Sequence, residues 1–197
     1  EAEAIGATTS QLIAEPSASS PIPHPYLIAL HGHSGNAATT LPDWSPLTEH
    51  GWLIAAIQSS QVADMDGFHW MDIEQARTDI QKNIDTLTST FPLNPEQFAI
   101  AGYSNGARAA LTLALTGGVR ARWVISVGGT LQDRVLKSLD WQNVTSMDAP
   151  NILLIVGEHD HNRLSRLTEQ AKLFELNGLN VSLEVIPKMG HSVPPDL

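Results

Sequence analysis

Cysteine is absent from the 197 residues of this chain. That excludes disulfides, a thiol nucleophile and Cys-ligated zinc or iron–sulfur centres together, and it leaves the redox compartment open. No apolar run approaches the roughly 18 residues that a membrane-spanning helix needs. Basic residues are scarce: 11 Lys+Arg stand against 21 Asp+Glu, a formal charge of −10. With no Lys/Arg cluster to offset it, such a chain repels phosphates. Nucleic acid is therefore not an expected partner, and anionic substrates are mildly disfavoured. What is plentiful is apolar: 42% hydrophobic against 16% charged residues, the composition of a globular domain with a real core.

The start of the chain reads differently from the rest. Glu1-Ala2-Glu3-Ala4 resembles the processing remnant of a yeast secretion leader, which leans the localisation towards secretion. Pro16, Pro21, Pro23 and Pro25 make residues 15–25 an extended lead-in, since proline fixes φ and donates no hydrogen bond. Residues 1–25 are thus expected to be an N-terminal extension and 26–197 the folded domain.

Within 26–197, short apolar runs alternate with helical patterns. Tyr26–Leu30, Leu53–Ile57, Gln97–Ala101, Trp123–Val127, Ile152–Val156 and Val181–Ile186 read as strands. Ile73, Ala76, Ile80, Ile84 and Leu87 recur at helical steps. So do Leu164, Leu167, Ala171 and Phe174, and again Ala107, Ala110, Leu111 and Ala114, the last set closing at Gly117-Gly118. This alternation predicts an α/β fold, a mostly parallel sheet covered by helices on both faces. Sites in such sheets lie beyond the carboxyl ends of strands.

Four of those loops carry chemistry. After the strand ending at Ala101 comes Gly102-Tyr103-Ser104-Asn105-Gly106, a G-x-S-x-G between a strand and an Ala-rich helix. A sharp turn there would expose the Ser104 hydroxyl as a nucleophile, with the helix N-terminus adding partial positive charge beside a developing oxyanion. A serine hydroxyl needs a base. His191 follows the last strand, and Asp160 follows Ile152–Val156, in the order Ser, acid, His. Glu158 beside it and Asp133 after the previous strand are the competing carboxylates. Two backbone N–H groups must meet the oxyanion: Asn105, after the nucleophile, and His33, in the small-residue loop His31-Gly32-His33-Ser34-Gly35-Asn36. Trp70 and Tyr103 are candidate walls of the substrate pocket. His159, Asp160 and His161, or His31 and His33, could suggest a metal, but no third ligand is evident and the same residues already have hydrolase roles, so none is expected.

These motifs converge on a resemblance. LHGHSGNA at Leu30–Ala37, AGYSNGA at Ala101–Ala107, VGEHD at Val156–Asp160 and MGHS at Met189–Ser192 resemble the serine α/β-hydrolases. The closest group is the phospholipase/carboxylesterases, which includes acyl-protein thioesterases. The segment Gly67-Phe68-His69-Trp70-Met71-Asp72 looks like that group's aromatic-Asp stretch. Departures are Ser34 where the group commonly has glycine, and a short segment between Gly128 and Pro150 that leaves little or no lid. Members of the group usually continue into a C-terminal helix after the His loop, whereas here Leu197 is the last residue.

The resemblance implies an α/β-hydrolase fold and cofactor-free hydrolysis of a small-molecule carboxylic ester through an acyl-enzyme. The same triad would also serve a thioesterase, a polyester or feruloyl-type esterase, or a small peptidase. A dienelactone-hydrolase-like enzyme uses a Cys nucleophile, which this chain lacks. A non-catalytic binding module on the same fold would be expected to have lost a triad position, and none is missing here.

Overall fold

The computed structural model describes residues 11–63, 67–146, 149–195 and 197. The leader-like residues 1–4 lie outside these. The described residues form nine strands and six α-helices. The strands are β1 (Gln11–Ala14), β2 (His24–Leu30), β3 (Leu53–Ile57), β4 (Gln61–Val62), β5 (Phe68–His69), β6 (Leu93–Tyr103), β7 (Trp123–Val127), β8 (Asn151–Gly157) and β9 (Val181–Ile186). The helices are α1 (Ala37–Trp44), α2 (Ile73–Thr90), α3 (Asn105–Leu115), α4 (Asp133–Ser138), α5 (Trp141–Ser146) and α6 (His161–Leu176), with a 3₁₀ turn at Ser45–His50.

Seven strands form one sheet in the order β1-β3-β2-β6-β7-β8-β9. Every neighbouring pair is parallel except β1 with β3. All six expected strands are present. Gln11–Ala14, inside the stretch read as an N-terminal extension, adds the antiparallel edge. The central strands are apolar on both faces because both faces are covered: every residue of β3 is buried. Along β2 the alternation separates two cores. Tyr26, Ile28 and Leu30 meet α2, α3 and α6 residues such as Ile80, Leu111 and Phe174. Leu27 and Ala29 meet Ala37 and Trp44 of α1 on the other face.

Chain order along the sheet reverses beside β2. The chain goes from β2 outward to β3, then crosses back to β6 on the other side. The loops after β2 and β6 therefore leave the sheet in opposite directions and open a crevice between them. The register pairs Leu30 with Gly102, so both loops begin at the same height.

Phe174 is fully buried, while Leu176, two residues on in the same helix, is 85% exposed. Phe174→Ala is expected to lower unfolding free energy by about 3–5 kcal/mol. Leu176→Ala is expected to stay within about 0.5 kcal/mol of the parent. Urea denaturation of both variants measures the difference.

Candidate active site

Ser104 occupies the turn between β6 and α3 with φ 51° and ψ −104°, a left-handed conformation that side chains rarely adopt. Its flanking glycines make the turn possible. A Cβ on Gly102 would sit 2.6 Å from the Ala107 amide nitrogen. One on Gly106 would collide with the carbonyl oxygens of Leu30 and His31. The elbow is thus pressed against the end of β2, with the hydroxyl raised above both.

Ser104 Oγ lies 2.9 Å from His191 Nε2, and His191 Nδ1 lies 2.8 Å from Asp160 Oδ2. An ionised carboxylate can only accept, so Nδ1–H donates to Asp160 and Nε2 is left to accept the serine proton. Burial and the nearby Arg163 guanidinium push His191 below its ordinary value of 6.5, against the opposing pull of Asp160. The imidazole is therefore held in its neutral, proton-accepting form.

Glycines also make room for His191. A Cβ on Gly128 would stand 2.9 Å from its ring, and one on Gly157 would strike the Met189 and Gly190 carbonyls. The Tyr103 hydroxyl donates to the His191 carbonyl at 2.8 Å, with the two rings 4.9 Å apart. The competing carboxylates are engaged elsewhere. Glu158 Oε2 accepts from the Lys188 N–H at 2.9 Å, and Asp133 pairs with Arg166.

The loop after β2 is held from beneath. His31 is buried; its Nδ1–H donates to Gly32 O at 2.8 Å and its Nε2 accepts from the Ser59 N–H at 3.3 Å. Burial pushes its pKa down to about 4, which matches a neutral ring with both nitrogens used. Trp70 is also buried, 4.9 Å from the His31 ring, and its indole N–H donates to His31 O at 3.1 Å. The Trp70 backbone N–H donates to Asn105 Oδ1 at 2.6 Å. Trp70 thus ties the β2 loop, which carries His33, to Asn105 at the start of α3; His33 and Asn105 are the two candidate oxyanion donors.

A cavity of about 310 Å³ opens above Ser104. His33 and Asn105 line it with Ser104, as do Met71, Arg108 and Arg163. Trp70 and Tyr103 are not in that lining: Trp70 lies in the core below, and Tyr103 packs against His191. Sequence reading missed the two arginines. Arg108 is four residues past Ser104, one helical turn along the same face, and Arg163 is three past Asp160, so the helical step alone pointed to both. Among the described residues no cluster of three or more His, Asp or Glu side chains could hold a metal ion. No helix among them is long and apolar enough to cross a membrane.

Comparison with known proteins places the chain in a family and finds solved structures of the same fold. The profile of the phospholipase/carboxylesterase family matches residues 5–197. Among curated proteins nothing matches. Esterase PE8 superposes with a TM-score of 0.76 at 16% identity, over 95% of this chain and 93% of its own. A carboxylesterase from Mesorhizobium loti gives 0.69 at 23% identity, over 87% and 83%. Acyl-protein thioesterase 2 from Zea mays gives 0.64 at 17% identity, over 96% and 94%. At these identities the likeness is one of fold.

The burial of His31 has a consequence for stability. The unfolded chain takes up a proton near pH 6.5 that the folded state refuses until about pH 4. Stability contributed by the neutral ring is complete above pH 6.5 and falls as pH drops towards 4, by an amount on the order of 3 kcal/mol. Urea midpoints across that window should show the loss, and His31→Gln should flatten it. Equal pH dependence in both proteins would contradict the burial account.

Proposed function

The chain belongs to the phospholipase/carboxylesterase family, and we propose that it is a serine hydrolase of carboxylic esters. The observation that carries the reading is the hydrogen-bonded chain from Ser104 through His191 to Asp160, at a serine whose backbone is strained into a sharp turn. Strain of that kind costs about 1–3 kcal/mol and is characteristic of working sites.

In this reading Ser104 Oγ attacks the ester carbonyl carbon as His191 Nε2 takes its proton. Asp160 holds the Nδ1–H tautomer and stabilises the imidazolium. The backbone N–H groups of His33 and Asn105 receive the oxyanion, with α3 opening at that point. Collapse of the tetrahedral intermediate breaks the carbonyl–alkoxide bond, and the alcohol leaves with the proton from His191. Water then attacks the acyl-enzyme and gives a proton to His191, which returns it to Ser104 as the acid departs. No step requires a cofactor. Tyr103 contributes by holding the His191 loop, and Trp70 by holding the Asn105 side chain.

p-Nitrophenyl esters from acetate to palmitate test this. The parent protein is expected to turn over the short and medium esters, and Ser104→Ala to lose about 10⁴- to 10⁶-fold in kcat. Equal rates for the two proteins would sink the assignment of Ser104. The acid limb of kcat/KM should have its midpoint below 6.5, since burial and Arg163 both oppose the imidazolium. Removing that cation in Arg163→Gln should move the midpoint to higher pH.

A further inference from the structure

The chain is poor in cations, with 11 Lys+Arg against 21 Asp+Glu, yet Arg108 and Arg163 both line the cavity over Ser104. Arg108 is half-buried on α3. Among the described residues no carboxylate pairs with it. Its surroundings work against its charge: burial is the larger cause, and the guanidinium of Arg134 is the other. Arg77 meets Glu74 and Arg166 meets Asp133; Arg120, Arg122 and Arg134 also have no carboxylate partner among the described residues, but none of those three lines the cavity over Ser104.

Arg163, in the first turn of α6, reaches Asp160 Oδ1 at 3.4 Å, a long contact. Asp160 also holds His191, so its one charge is divided between the two. Arg108 and Arg163 against Asp160 leave the cavity with about one positive charge in excess. A guanidinium partly removed from water without a partner is costly, and its planar fork of donors fits a carboxylate.

We propose that the substrates are esters carrying a carboxylate near the scissile bond, and that Arg108, assisted by Arg163, receives it. This rests on Ser104 being the nucleophile. The negative charge of the whole chain does not oppose it, because salt screens exposed charges beyond about 8 Å, whereas the two arginines line the cavity in which the ester would react.

Two pairs of esters test the proposal, each rate being normalised to that of the same ester with hydroxide. In 4-acetoxybenzoate and its methyl ester the anion is on the leaving group. In monoethyl adipate and ethyl hexanoate it is on the acyl side. In at least one pair the carboxylate ester should have the higher kcat/KM by about tenfold or more, the effect of one charge-assisted hydrogen bond. Arg108→Gln should cut that ratio by about tenfold, chiefly through KM, and Arg108→Lys should restore part of it.

The outcomes separate cleanly. Neutral esters equal or better in both pairs would overturn the carboxylate proposal while leaving the hydrolase intact. A preference that survives Arg108→Gln would overturn the assignment to Arg108. Hydrolysis of all four that persists in Ser104→Ala, or hydrolysis of none by the parent, would overturn the ester-hydrolase reading itself.

Discussion

The turn at Ser104 is the constraint around which the site is assembled. A left-handed serine between two chain directions needs its neighbours to come closer than side chains allow, and Gly102 and Gly106 permit it. The parallel pairing of β2 with β6 puts Leu30 opposite Gly102, so the elbow rests on the end of β2. From that one contact three things follow. The hydroxyl stands at the crevice where strand order reverses, the start of α3 faces it, and the β2 loop is brought alongside. Displacing the turn by the width of a methyl group would separate all three.

Polar residues buried beneath the site hold this arrangement. Trp70 bridges His31 and Asn105 with two N–H donors, and His31 is fixed in turn by Gly32 and Ser59. Asp79 of α2 is buried and accepts from the Ser60 N–H at 2.8 Å, anchoring the chain just after β3. These groups have their partners, so the network stiffens the loops rather than weakening the core. Elements distant in sequence are joined through backbone atoms, and the loops cannot shift independently.

Legibility in the sequence followed burial. β3 and the core of β6 are covered on both faces and read as continuous apolar runs, which is why they stood out. β6 begins at Leu93, earlier than the expected Gln97; its start was not legible because Pro95, Glu96 and Gln97 are exposed and break the apolar run. β1 escaped notice: Gln11–Ala14 is four residues long and sits at an edge, where one side needs no apolar neighbour. The candidate nucleophile and base stood out by motif and order. Asp160 is preferred as the acid for its place behind a well-defined strand end, although Glu158 and Asp133 also follow strand ends. Pairing in three dimensions sets the three apart: Glu158 accepts from the Lys188 N–H, Asp133 pairs with Arg166, and Asp160 faces His191. Trp70 and Tyr103 looked like pocket walls because aromatic side chains near a nucleophile can serve either purpose, and a string of letters does not say which way a ring points.

Net charge concealed the electrostatics of the cavity, since a sum over the chain cannot show where the scarce cations sit. Asp160 is the pivot of that local field. One of its oxygens faces His191 and the other faces Arg163, so the carboxylate strengthens the base while the guanidinium weakens it. The balance changes with what the cavity holds. An anion seated on Arg163 would offset the cation that opposes the imidazolium, and Asp160 would then act on His191 with less competition. The base would become stronger when such a substrate is present than when the cavity contains water. Without such an anion His191 would keep its lowered proton affinity, and that affinity would rise when the anion is bound. A substrate without a negative charge would leave the opposing cation in place, so the same pair of residues that recognises the charge would also set how readily Ser104 gives up its proton.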